Sequence, residues 1–160
     1  KNILTLAKVL DKINYQFNSQ HSLTVIGKGS LLSSLLKHKC VKYLGFKTQQ
    51  EIIDIAKKSH AFILPSLYEP WGVVVHEMAA IGLPLLVSNL CGSSEDLVVD
   101  DFNGLRFNPK RPKEIFNTIV KFINLDDNIK TNFSVNSSKI SKKINNNNWN
   151  TTILSFLNKT

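Results

Sequence analysis

Cysteine is scarce in this chain, with only Cys40 and Cys91 among 160 residues. Their separation matches no metal-ligand spacing, and two thiols make no disulfide framework, so both are expected as reduced thiols of a cytoplasmic protein. Long apolar runs are missing too. The longest uncharged apolar stretch, Met78 to Val87, includes Gly82 and Pro84 and falls far short of the ~18 residues of a membrane span. No secretory leader is recognisable, which favours a soluble chain. No aromatic-interleaved basic motif of the RNA-binding kind accompanies the lysines, so nucleic acid is not an expected partner. A receiver-like signalling module would want acidic residues at the end of an early strand, and Thr24, Val25 and Ile26 supply none.

What is present starts with charge. Twenty Lys plus Arg against 12 Asp plus Glu leave a formal +8, which suits anionic small substrates or an anionic leaflet. The lysines are spread over many segments, as Lys37, Lys39, Lys57, Lys58, Lys142 and Lys143 show, so a solvated surface explains each one singly. A hydrophobic content of 42% over this length is that of one ordinary domain with a proper core.

Periodicity sorts the chain into alternating elements. Ile3, Leu6, Leu10, Ile13 and Phe17 repeat at three and four, one apolar stripe of a helix. Leu23 to Ile26 reads as a strand, followed by the turn Gly27 to Ser30 and a helix through about Lys39; Val41 to Leu44 is the next strand and Gln49 to Lys58 the next helix. Ala61 to Leu64 is a buried strand ended by Pro65, Val73 to Ile81 a helix stopped by Gly82 and Pro84, and Leu85 to Ser88 another strand. Cys91 to Glu95 opens a short helix with a serine cap, and Asn103-Gly104 turns into a strand over Leu105 to Phe107. Beyond Pro112, Ile115, Ile119, Phe122 and Ile123 share a helical face, followed less regularly by Ile129, Phe133 and Ile140. Asn145 to Asn148 read as a joint before a last amphipathic helix carrying Trp149, Ile153, Phe156 and Leu157. The expectation is an α/β, three-layer, Rossmann-like domain with a mainly parallel sheet.

The chemistry concentrates between Pro65 and Pro84. Glu69 and Glu77 stand eight positions apart, roughly 12 Å on one continuous helix. Pro70 and Gly72 break that spacing, so Glu69 belongs to the loop and both carboxylates can approach the first helical turn, because helical side chains lean toward the amino end. Between them the unpaired N–H groups of about Trp71, Gly72, Val73 and Val74 form a partial positive charge suited to phosphate. Carboxylates accept from sugar hydroxyls and free amides bind a diphosphate. A nucleotide-diphosphate sugar carries both. The plainer explanation is that acids near a helix start complement its dipole. His76, one step from Glu77, points elsewhere and is expected to be non-catalytic. Gly27 and Gly29 fit a phosphate-approach turn after a strand, and a simple tight turn explains them equally.

Pro65, Ser66, Glu69, Pro70, Gly72, Glu77, Met78, Ala79, Gly82 and Pro84 together fill a pattern that closely resembles the donor-binding signature of retaining GT-B glycosyltransferases. The group is glycosyltransferase family 4-like and includes glycogen synthases, sucrose synthases and bacterial mannosyl- and glucosyltransferases. The resemblance spans essentially all of residues 1–160 and implies the carboxy-terminal, donor-binding half of such an enzyme. It implies a feeding strand and an amino-terminal acceptor domain outside this sequence, toward which residues 146–160 would cross back. It assigns Glu77 to ribose hydroxyls and Glu69 to a hydroxyl of the transferred sugar. Lys1 matches one member of a diphosphate-gripping basic pair, whose Arg has no counterpart here; the plain alternative is a solvated terminal lysine. Phe46 and Lys47 fall in a turn whose backbone lies against the nucleobase, unless Phe46 is core. Cys91 stands where the family usually has the first Gly of Gly-Gly-x-x-Glu. No metal or cofactor is implied, since the nucleotide sugar is a substrate. The implied reaction is hexosyl transfer with retention to a glycan or lipid-linked acceptor, as in polysaccharide or lipopolysaccharide biosynthesis. The isolated domain would be inactive. Sugar-nucleotide epimerisation, phosphorolysis and a non-catalytic nucleotide-binding module remain as alternatives.

Overall fold

The computed structural model describes residues 1–143; the expected joint at Asn145 to Asn148 and the helix through Trp149 lie outside the described residues. Seven helices and five strands alternate among them. α1 (Ile3–Gln16) buries Leu6, Ala7, Val9, Leu10 and Ile13, the inward side of the expected stripe. β1 (Leu23–Ile26), the one-turn α2 (Leu32–Leu35) and β2 (Val41–Gly45) come next, then α3 (Gln49–Ala56) and β3 (Phe62–Leu64). α4 (Val73–Ile81), β4 (Leu85–Ser88), α5 (Ser93–Leu97), β5 (Gly104–Phe107), α6 (Pro112–Ile123) and α7 (Asp127–Lys143) complete the order.

Every strand pairing is parallel, β1 with β2 in one piece and β3–β4–β5 in another. The expected sheet is thus present as two parallel pieces. Alternating side chains divide two apolar layers, as the two-residue period of a strand requires. Ile63, Leu86, Leu105 and Phe107 face α1 and α6, whereas Leu64, Leu85 and Val87 pack with Val75, Met78 and Ala79 of α4 and Leu97 of α5. α7 joins both layers, with Phe133 in the first and Ile140 against the second. Helices therefore cover both faces of the sheet, the three-layer arrangement expected.

Several local expectations are corrected. The helix expected through Lys39 is only one turn, because tight bonds from Lys37 N to Ser34 O and His38 N to Leu35 O end it. Asp11 of α1 then fixes the approach to β2, accepting from the Cys40 amide and pairing with His38 Nδ1 at 2.8 Å. Burial raises the Asp11 pKa, but the bonds from His38 and Cys40 outweigh it and hold the carboxyl below its ordinary range. The Cys40 thiol, buried and beside Asp11, is pushed up to about 12, so it stays protonated and donates to Ala7 O. α3 stops at Ala56 rather than Lys58, again in tight turns. α5 has Gly92 rather than a serine before its first turn; Ser93 and Ser94 lie inside the helix and buried, and Ser94 Oγ has no hydrogen-bond partner among the described residues. Phe17 closes α1 half-exposed, its ring 6.4 Å from Phe116, and Ile129 is exposed rather than inward.

Candidate functional site

The loop between β3 and α4 is held by the loop after β4. Glu69 N donates to Leu90 O, Gly92 N to Glu69 O and Ser93 N to Trp71 O. The fully buried Cys91 adds a side-chain bond, its thiol donating to Trp71 O at 3.0 Å. Ser93 Oγ reaches Gly72 O at 3.4 Å. Five contacts thus stitch residues 69–72 to residues 90–93. Gly72 adopts the left-handed conformation with φ 85°, and a Cβ there would lie 2.7 Å from Cys91 Sγ and 3.1 Å from Glu69 Cγ. The chain turns sharply here because no side chain intervenes.

This turn delivers the start of α4 with its amides free. Val75 N bonds Gly72 O, but the N–H groups of Trp71, Gly72, Val73 and Val74 find no acceptor among the described residues. At a nine-residue helix these amides and the aligned peptide dipoles make a site for negative charge. Lys1 Nζ lies 2.7 Å from Glu69 Oε2, so residues 68 positions apart meet beside the turn. Glu69 is the less exposed partner, at 21% of its side chain against 56% for Lys1. Lys1 thus pairs with Glu69 while more than half of its side chain stays exposed.

The remaining expected residues are placed separately. Glu77 is exposed on α4 with no side-chain partner among the described residues. His76 Nε2 is 3.0 Å from Ser141 O and ties α4 to α7, a packing role. Phe46 is 75% exposed, which removes the alternative that it is core. Lys47 Nζ binds Glu51 Oε1 at 2.8 Å. The Thr48–Glu51 capping box and Lys47 together hold the Glu51 carboxyl at about 2, the Lys47 bond being the largest cause. Gly27 has φ 109° and its carbonyl accepts from Tyr43 Oη, while Gly29 faces open space. Two features go unannounced in the sequence, the Cys91 bond and the burial of Asn103. Asn103 Nδ2 donates to Leu97 O, its Oδ1 accepts from Val99 N, and Ser137 Oγ donates to its carbonyl. An Asn before Gly signals a turn, and nothing local gives away its buried bonds. Among the described residues no group of three or more His, Cys, Asp and Glu is placed to hold a metal ion, and no helix is long and apolar enough to cross a membrane.

This three-layer α/β arrangement is that of a Rossmann-like half of a GT-B glycosyltransferase. Sucrose-phosphate synthase from Thermosynechococcus elongatus superposes with a TM-score of 0.81 at 19% identity, covering 99% of this chain and 42% of that one. Anabaena HepE, solved in complex with UDP and glucose, gives 0.78 at 20% identity, over 98% and 44%. The chain belongs to the glycosyl transferases group 1 family, whose model matches residues 1–140. An uncharacterized glycosyltransferase of Methanocaldococcus jannaschii is 31% identical over 123 residues, 72% of this chain and 30% of that protein. The chain thus spans less than half the length of each of these relatives.

Proposed function

We propose that the chain is the donor-binding half of a retaining hexosyltransferase, which holds a nucleotide-diphosphate sugar and, with an amino-terminal domain, transfers the sugar to a glycan or lipid-linked acceptor. The observation that carries this reading is the set of unpaired amides at Trp71 to Val74 set beside the Lys1–Glu69 pair. Donors for a diphosphate and an acceptor for a sugar hydroxyl adjoin there. The amides and Lys1 stabilise the departing diphosphate, which is electrostatic catalysis by groups already oriented. Glu69 holds a hydroxyl of the transferred sugar and Glu77 the ribose. Phe46 and Lys47 contact the base, with Phe46 offering an exposed ring, and the turn of Gly27 and Gly29 lets backbone approach the phosphates. The enzyme works in the cytoplasm, and its +8 charge favours the inner face of an anionic membrane. The isolated domain transfers no sugar, since the reacting centre needs both domains.

Calorimetric titration tests the assignment. Glu77→Ala should weaken a nucleoside diphosphate and its sugar conjugate alike, whereas Glu69→Ala should weaken mainly the conjugate, each by about tenfold. Equal losses for both ligands in both variants would overturn the roles.

A further inference from the structure

Trp71 and Gly72 share a peptide unit whose C=O and N–H face opposite ways, because the bond is trans. Its carbonyl end is held inside. Trp71 O accepts from Ser93 N at 2.9 Å and from the thiol of Cys91, a residue only 1% exposed, at 3.0 Å. The N–H end, on Gly72, is therefore turned away from residues 90–93 and finds no acceptor among the described residues. It is one of the free amides at the start of α4.

Glycine is the residue least able to keep that orientation unaided. Rotating the Trp71–Gly72 peptide by half a turn exchanges the positive φ at Gly72 for a negative one, and glycine populates both signs about equally. The flipped unit would set the Trp71 carbonyl oxygen where the Gly72 N–H now stands. An acceptor would then replace a donor at a place suited to negative charge. Two bonds oppose the flip. The Ser93 amide supplies one, as the backbone of almost any residue could, and the other comes from the Cys91 side chain alone. The next peptide is held in the same manner, since Gly72 O accepts from Val75 N at 2.9 Å and from Ser93 Oγ at 3.4 Å.

We propose that Cys91 is a positioning residue, whose thiol locks the Trp71–Gly72 peptide with its N–H outward and so keeps the amides of α4 ready for an anion. The inference rests on the reading of these amides as donors to a diphosphate. The test uses the whole enzyme and its Cys91→Ala, Cys91→Val and Cys91→Ser variants, with folding checked by circular dichroism. Alanine and valine remove the donor, valine while filling the sulfur's space, and serine keeps a hydroxyl to bond Trp71 O. Probes are UDP, ADP and GDP, each beside its nucleoside. Cys91→Ala and Cys91→Val should bind the diphosphates about fivefold more weakly and the nucleosides as wild type does. Cys91→Ser should stay within about twofold of wild type for both. A merely structural role would not be rescued by serine, which leaves part of the sulfur's space empty. Diphosphate affinity unchanged in the alanine and valine variants, equal losses in all three, or a matching loss of nucleoside would overturn the positioning role alone. Wild-type enzyme that binds none of the three diphosphates would refute the donor reading, and the inference with it.

Discussion

Two turns of this protein carry glycines after a strand, and they are built in opposite ways. At the start of α4, Gly72 is pressed against Cys91 and Glu69, and the neighbouring loop brings Gly92 so close that a Cβ there would stand 2.1 Å from Pro70 O. After β1, a Cβ on Gly27 or Gly29 would meet nothing within 4 Å. The first turn is glycine-dependent because two backbones touch; in the second nothing crowds either glycine, and only the φ of 109° at Gly27 calls for one. Similar residues in sequence therefore conceal a steric requirement in one place and a purely conformational one in the other.

Substitution should separate them. Gly92→Ala is the most damaging, since the obstacle is backbone that cannot rotate away, and a loss of about 2–3 kcal/mol in urea unfolding is expected. A wild-type midpoint would show that the two loops are not in contact. Gly72→Ala ranks second at about 1–2 kcal/mol, from the left-handed backbone and the sulfur at 2.7 Å. A side chain at 72 meets Cys91 before it meets any ligand, so removing the sulfur should relieve part of the cost. In a double-mutant cycle with Cys91→Ala the coupling should reach at least ~0.5 kcal/mol, and strict additivity would remove Cys91 from the account. Gly27→Ala should cost about 1 kcal/mol from its positive φ alone, and Gly29→Ala should stay within ~0.5 kcal/mol.

The smallest effect lies at the same end of the β1–β2 piece, where β2 leads into α3. The Glu51 carboxyl sits at about 2 when folded against ~4.3 unfolded. A lowered carboxylate stabilises above its unfolded value and loses that contribution as pH falls, so the Thr48 cap is complete above pH ~4.3 and released as pH drops through about 2. An NMR titration of Glu51 should show the low midpoint, and Lys47→Ala should raise it. An unmoved midpoint in that variant would assign the shift to the cap alone.

The bounds of α4 were legible because Gly72, Gly82 and Pro84 punctuate it, and those of β4 because three apolar residues and a serine follow a proline. The end of α2 was not, since Leu31 to Leu36 continue a plausible helical run, and the bond that draws the chain beyond it toward β2 joins His38 to Asp11, 27 positions earlier. The turn into α4 was visible as a pattern of Glu, Pro and Gly. The floor beneath it was not, because Cys91 looked like a departure from an expected glycine, whereas the structure gives its thiol a hydrogen bond to Trp71. Neighbours distant in sequence decide such features.

α7 has a consequence for how the molecule comes apart. A sheet with separate apolar layers invites unfolding in two stages, one layer at a time. α7 places Phe133 in one layer and Ile140 against the other, while Ser137 bonds Asn103 and Ser141 O meets His76. Neither layer can open without stripping the same helix, so their free energies are shared and the described domain should melt as one cooperative unit.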